Sequence, residues 1–319
     1  MKKFLATALL LGCTAQAVNL DFGVSYPLTA RVGVSDWGVL GGRVGAGLST
    51  KGADLSYARV LALPPLGAVS VSSRAQVAWA GGYWLESRGT GALGPVAVNL
   101  GGNVFSTPAS TFDALAYYTL TPTDTRPSGW NADLSVRYRV NRNAVAVLGG
   151  EFGGQTSGFA GVELRRDLNR TLPPAEGDDP EAPPETESLG TLTYRLGVRA
   201  GRDVLGATAG ITYATQSGRT LALDAQLGPS RGGNAGYGVV GSVGFGEVLG
   251  EGSSLRAYAA YEPWREYAAP LRVGLEASKP LGRGTLGLNL RGGQNRLGET
   301  GFGVSATYSF PLGGSTEQP

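Results

Sequence analysis

The sequence predicts an all-β fold, a closed antiparallel transmembrane β-barrel of about 16 strands, within a range of roughly 14–18. Apolar and polar residues alternate with period two along most of the chain. The alternating segments outnumber the strands of one soluble β-domain, and their polar face carries many charges beside glycine and serine. We expect a signal peptide at 1–17, the barrel at 18–310 and a C-terminal tail at 311–319.

The composition excludes several classes of protein. Only 16% of the 319 residues are charged and the net charge is +2, which argues against a nucleic-acid binder with its concentrated basic patch. The mean hydropathy of −0.04 is close to neutral, as expected where apolar and polar residues alternate in a barrel. After residue 17 no apolar run approaches the length of a transmembrane helix.

The N-terminus has the three parts of a secretory signal. Two lysines precede the short apolar run 4–11, and Ala15 and Ala17 place small residues at a cleavage site. An alternative stays open, because residues 10–13 resemble a lipobox that would leave Cys13 lipidated. Cys13 is the single cysteine of the chain, so cleavage after Ala17 would leave no thiol and no disulfide.

The strands are predicted from segments of alternating apolar and polar residues and from the turns between these segments. In 18–26, for example, Leu20, Phe22 and Val24 share one face. The clearest segments are 18–26, 130–140, 192–200 and 302–310. Weaker ones lie near 30–34, 43–48, 69–79, 96–104, 160–165, 207–213, 221–227, 237–245, 255–261, 271–278 and 286–291, with 53–63, 111–120 and 144–152 less clean. Tight turns are expected at 50–52, 141–143, 202–203 and 281–284, and such short connections favour antiparallel hairpins.

The longer connections are expected at the end of the barrel away from the chain termini, at 81–94, 121–129, 228–235, 263–269 and 294–299. The acidic, proline-rich segment 172–185 is the exception, since alternating strand directions place it on the side of the termini, where turns should be short. That conflict suggests an error of one in the strand count. We interpret the segment as a solvated loop, with a loop that binds a partner or cations as the alternative.

A membrane barrel explains the patterning better than a soluble one. A packed interior would not tolerate so many charges within strands, whereas a wide closed barrel encloses water and turns its apolar side chains to lipid. Aromatic residues near strand ends predict interfacial girdles, although they also flank strands in soluble β-proteins. The expected girdle includes Trp79, Trp84, Trp130, Trp264 and Tyr308, with Trp37, Tyr26, Tyr83, Tyr261 and Tyr267 placed similarly.

With its aromatic final strand 301–310, the chain resembles the bacterial outer-membrane β-barrel class. The resemblance covers the whole chain after the signal peptide, but it is generic and assigns no particular porin family. It implies a location in the outer membrane, and a last strand that the barrel-assembly machinery recognises. The chain departs from the pattern because residues 311–319 follow Phe310, which puts that recognition in doubt.

Catalysis has little support in the sequence. The chain has no histidine, which excludes a Ser-His-Asp triad and imidazole zinc sites, and no P-loop or nucleophile elbow is present. A carboxylate pair such as Asp133 with Glu163 is conceivable, but nothing singles it out. We therefore expect no enzyme, no catalytic residue, no metal and no cofactor.

Strand parity predicts which charges face the interior. Eleven arginines against five acids suggest a passive diffusion channel for small hydrophilic solutes with mild anion preference. Alternatively, the arginines pair with acids and stiffen or plug the wall, as in a structural or adhesive barrel with a closed lumen; association into homo-oligomers also stays open. The predicted inward residues are Arg31, Arg43, Arg74, Arg137, Arg139, Arg165, Arg195, Arg199, Arg256, Arg272, Arg291, Asp21, Asp133, Glu163, Asp224 and Glu276.

Overall fold

The computed structural model describes residues 18–63, 67–121, 123–171 and 186–312. The predicted signal peptide with Cys13, the acidic segment 172–185 and the tail from 313 onward lie outside these residues. The described residues form eighteen strands: β1 (Asn19–Tyr26), β2 (Thr29–Val39), β3 (Gly42–Ser49), β4 (Gly52–Leu63), β5 (Gly67–Ala78), β6 (Tyr83–Leu93), β7 (Val96–Phe105), β8 (Gly129–Arg139), β9 (Ala144–Gly153), β10 (Ser157–Thr171), β11 (Thr186–Gly201), β12 (Leu205–Ala214), β13 (Thr220–Leu227), β14 (Tyr237–Gly246), β15 (Ser254–Tyr261), β16 (Leu271–Leu281), β17 (Gly284–Gln294) and β18 (Thr300–Pro311).

Every strand pairs antiparallel with its neighbours in sequence, and the sheet closes on itself. β1 pairs with β2 on one side and with β18 on the other. At the closure Asn19 lies opposite Pro311 and Phe22 opposite Tyr308. A closed sheet leaves no strand edge unpaired, which a hydrocarbon environment requires. The predicted closed antiparallel β-barrel is confirmed, with eighteen strands at the upper limit of the expected range.

The two faces of the barrel wall differ in chemistry. On β11, Leu196 and Val198 are 55% and 57% exposed on the outer surface. The alternate residues Arg195 and Arg199 point inward, where they pair with Asp224 and Glu151. The same alternation runs around the ring, so the apolar side chains form the outside and the charges line the lumen. This is the reverse of a soluble barrel.

Aromatic side chains form two rings on the outer surface, separated by apolar wall. Trp130 is the second residue of β8 and Tyr138 the second to last, and both are outward and exposed. The eight steps between them span roughly 20 Å along the barrel axis for a tilted strand. One ring contains Tyr26, Trp79, Tyr83, Trp130, Phe152, Tyr237 and Phe302, and the ring at the end that carries the termini contains Trp37, Tyr138 and Phe245. The spacing is that of the two interfaces of a bilayer.

Two expectations about strands were wrong. Residues 111–120 form no strand; the connection after β7 instead contains two short 3-10 helices, Ala109–Thr111 and Ala116–Tyr118. The expected loop 81–94 contains β6, which pairs with β5 and β7. The two errors compensate, so strand directions from β8 onward were predicted correctly.

The connections at the two ends of the barrel differ in length. We call the end that carries Asn19 and Pro311 the terminal end and the opposite one the loop end. The loop end carries the connections 106–128, 228–236, 262–270 and 295–299, where four of the five predicted long loops fall. The hairpin of β10 and β11 turns at the terminal end. The number of strands predicted before the acidic segment is therefore correct, and the suspected error of one is not present. Pro311, which was expected in the tail, is the last residue of β18. Among the described residues, no helix is long and apolar enough to cross a bilayer.

Candidate functional site

The connection 106–128, here called the inner loop, enters the lumen from the loop end. Leu115 is 1% exposed and packs where Gly303 of β18 has no side chain; a Cβ there would lie 2.0 Å from Leu115 Cδ2. The Tyr258 hydroxyl of β15 donates a hydrogen bond to the carbonyl of Tyr118 at 2.8 Å. Because β7 and β8 lie across the ring from β17 and β18, the inner loop spans the barrel interior.

A second connection, 262–270, folds inward from the β15–β16 side and is called the capping loop. Its Arg265 is 7% exposed, and Nη1 lies 2.5 Å from Oε2 of Glu151 on β9. Its Glu262 pairs with Arg272 at the start of β16, and Arg272 is fully buried. Buried guanidinium groups need such partners, since an unpaired buried charge is costly. The capping loop is therefore held by ion pairs.

The inner loop and the capping loop meet inside the barrel mouth. The backbone N–H of Thr125 donates to the Tyr267 carbonyl at 2.6 Å, and the Arg126 guanidinium lies 5.1 Å from the centre of the Tyr267 ring. The hydrogen-bonded Asp124 carboxylate raises the pKa of the Arg126 guanidinium above its ordinary value. Together the two loops narrow the loop end of the lumen.

Two neighbouring cavities lie in the lumen. The larger holds about 830 Å³ beside the inner loop, and its charged lining includes Arg74, Glu86, Arg88, Asp133 and Arg291. The second, of about 470 Å³, continues along β13–β17, and both are bordered by Arg256 and Glu276. Space for water and small solutes therefore extends along the charged wall away from the loops.

Glycines allow the charged side chains to lie flat against this wall. Arg31 of β2 reaches Asp54 of β4 at 2.9 Å by crossing Gly47 of the intervening strand. Arg195 and Asp224 meet at 2.8 Å across Gly210, where a Cβ would lie 2.0 Å from Asp224 Oδ1. A side chain at either glycine would push the ion pair into the lumen. Other pairs along the wall join Arg137 to Glu163, Arg199 to Glu151, and Arg291 to Glu276.

The predicted inward residues differ in their surroundings. Arg31, Arg137, Arg195, Arg199, Arg272 and Arg291 pair with carboxylates, including Glu163, Asp224 and Glu276. Arg74, Arg256 and Asp133 border the larger cavity, and Asp21 accepts a hydrogen bond from Ser309. Three further arginines, Arg43, Arg139 and Arg165, lie toward the terminal end. Arg43 pairs there with Asp36, and Arg165 pairs with Asp167.

Sequence reasoning missed several acids of the inner surface. Asp54 pairs with Arg31, Glu151 with Arg199 and Arg265, and Glu262 with Arg272. Glu86 borders the larger cavity on the strand that was expected to be a loop. The predicted excess of arginine over acid is therefore an overestimate. Strand parity could have identified Asp54 and Glu151, which lie in segments expected to be strands.

Two of the predicted girdle residues lie inside the barrel. Trp84 and Trp264 are only 6% and 4% exposed, and Trp84 stacks on Phe105 with ring centres 4.7 Å apart. Trp79 and Trp130 are outward and more than half exposed. Tyr308 lies at the terminal end, where its hydroxyl donates to the Leu281 carbonyl at 3.0 Å. The two interior tryptophans, Trp84 on β6 and Trp264 in the capping loop, fill space inside the barrel. Position near a strand end does not distinguish such a residue from one in an outer girdle.

The chain has low sequence identity to the known proteins with which it was compared. No protein-family model matches the chain, and no curated protein matches its sequence. Among solved structures it is similar to OccK10 (OpdN) of Pseudomonas aeruginosa, with 10% identity, a TM-score of 0.49, and coverage of 93% of this chain and 98% of that chain. It is also similar to a mutant of the Rh. blastica porin, with 13% identity, a TM-score of 0.44, and coverage of 93% and 99%. At these values the likeness assigns no family.

Proposed function

We propose that the chain is an outer-membrane channel through which small hydrophilic solutes diffuse passively. The observation that carries this proposal is the pair of neighbouring cavities, both bordered by charged residues, inside a closed barrel whose outer surface is apolar. A polar lumen lowers the barrier for hydrated solutes, while the outer aromatic rings fit the two membrane interfaces. Insertion by the barrel-assembly machinery and association of several copies belong to the same proposal.

The finer proposal is a mild preference for anions. Within the described residues, Arg256 has no carboxylate within 4.0 Å, and Arg74 approaches Asp54 only at 3.9 Å. Both border the larger cavity, so their positive charge is available to a passing anion. Most other arginines of the wall are in ion pairs. The negative charge of Asp133, which borders the same cavity, offsets part of the positive charge of Arg74 and Arg256. The preference is therefore weak.

The reversal potential across a planar bilayer under a potassium chloride gradient tests this preference. A unit positive charge about 5 Å from an ion in water contributes about 0.8 kcal/mol, which favours an anion roughly fourfold and disfavours a cation by the same factor, so the anion-to-cation permeability ratio changes by up to roughly 16-fold. Arg256→Gln should lower the ratio by up to that factor, and less at high salt because of screening. The matched control is Arg59→Gln, on the outer surface by strand register. A cation-selective wild-type pore would refute the anion preference.

A second candidate is a structural or adhesive barrel whose lumen is closed. The observation in its favour is that the inner loop and the capping loop are tied to each other and to the wall. Uptake of small solutes into proteoliposomes separates the two functions. A protein that is fully folded and inserted but passes neither ions nor small sugars would favour the closed barrel.

A further inference from the structure

A third cavity lies between the inner wall and the capping loop. It holds about 300 Å³, and β9–β14 form its wall. Trp264 of the capping loop closes one side, where its ring lies so close to Gly238 that a Cβ there would be 2.3 Å from it. We call this space the side chamber. Its volume is at the lower end of that of small-molecule sites.

The side chamber is lined by apolar side chains and by one side-chain amide that is free to bond with a ligand. Phe159, Val240 and Trp264 supply aromatic and aliphatic contacts. Gln226 is 7% exposed and lies two residues from Asp224 on the same face of β13, and its side chain takes part in none of the hydrogen bonds found among the described residues. This amide can both donate to and accept from a bound molecule.

Each charged side chain that lines the side chamber already has an ion-pair partner, including Glu262, which pairs with Arg265 and Arg272. Arg195 pairs with Asp224 at 2.8 Å, Arg199 lies 3.5 Å from Glu151, and Glu163 pairs with Arg137. A charged ligand would have to leave water without finding a free counter-charge, which is unfavourable. A neutral ligand avoids that penalty. The side chain of Asp224 is 46% exposed, so its outer lone pairs can still accept hydrogen bonds.

We propose that the side chamber binds a neutral, hydroxylated solute of monosaccharide size. Ring C–H groups of such a solute would cover Phe159 and Trp264, and its hydroxyl groups would bond with Gln226 and Asp224. Hydroxyls suit this set because each both donates and accepts. The inference rests on the proposed channel only for the access of solute to the lumen, since binding itself does not require conduction.

Equilibrium dialysis of radiolabelled glucose against the purified, detergent-solubilised chain tests the proposal. We expect a dissociation constant of about 1 mM, typical of a small ligand with few hydrogen bonds. Gln226→Leu should weaken binding about tenfold, the value of one good hydrogen bond. Val240→Phe should abolish it by filling the chamber. The matched control is Gln76→Leu, a glutamine with the same 7% exposure on the opposite side of the barrel, which should bind normally.

Heat-modifiable migration on gels and circular dichroism confirm that each variant is folded. Wild-type protein that binds no glucose, or that binds acetate or glutamate more tightly than glucose, overturns the proposal. Equal weakening by Gln226→Leu and Gln76→Leu also overturns it, because the site would then not be the side chamber. Ion conductance measured on the same preparations distinguishes this failure from a failure of the channel, since a conducting protein without glucose binding refutes the side chamber alone.

Discussion

Replacing Leu115 with alanine should release the inner loop from the lumen. Leu115, 1% exposed, is the most buried of the described residues of this loop, and its packing against Gly303 holds the loop across the barrel. Truncating a buried leucine to alanine usually costs about 2–5 kcal/mol. At about 3 kcal/mol the ratio of released to docked loop rises roughly 150-fold. The barrel wall itself should stay intact, because Leu115 belongs to no strand.

Single-channel recording in planar bilayers measures the effect. We expect Leu115→Ala to conduct more than wild type, with larger fluctuations, and to admit larger sugars in liposome-swelling assays. Leu297→Ala is the matched control, since Leu297 is 84% exposed in another connection at the same end. Unchanged conductance and size limit in a folded Leu115→Ala protein would refute the assignment of the inner loop as the constriction.

Three further outcomes are expected. Glu151→Gln removes a partner of Arg265, so the capping loop should become more sensitive to protease while the barrel stays resistant; equal resistance would contradict its anchoring. Leu196→Arg places a charge on the outer wall and should destabilise the protein in liposomes by about 2–4 kcal/mol in urea unfolding, and a neutral effect would count against lipid contact. Brominated lipids should quench the fluorescence of Trp130 but not that of Trp264; efficient quenching of both would contradict the interior position of Trp264.

The closed barrel could be predicted because its chemistry repeats in every strand. Each strand alternates apolar and polar residues with period two. When the number of such strands exceeds that of a soluble β-domain, few folds other than a membrane barrel remain. Short turns such as 141–143 and 282–283 then define antiparallel neighbours. These signals are local in the sequence, so they can be read without knowledge of tertiary contacts.

Where the local signal failed, the reason is tertiary packing. β6 has Ser87, Gly89 and Gly91 on its outer face, so its alternation is weak and it was expected to be a loop. Residues 111–120 are apolar because Leu115 and its neighbours pack inside the lumen, not because they face lipid. A chain segment that crosses the interior has no periodicity that distinguishes it from a weak strand.

The charge pattern was only partly predictable for a similar reason. Arg31 meets Asp54 two strands away, across Gly47. Such a pair depends on strand register, which one sequence does not specify. The sequence identified inward arginines but not which carboxylates neutralise them, and so it overstated the positive charge of the lumen.

Spin labels at two adjacent positions in the middle of β8 test the central claim most directly. The chain from residue 18 onward has no cysteine, so Leu134→Cys and Ser135→Cys each provide a single labelling site in liposomes. The outward Leu134 position should be accessible to oxygen dissolved in lipid, and the inward Ser135 position to a water-soluble nickel chelate. The reverse pattern, or equal access of the chelate to both, would contradict a barrel with an apolar outside and a water-filled inside.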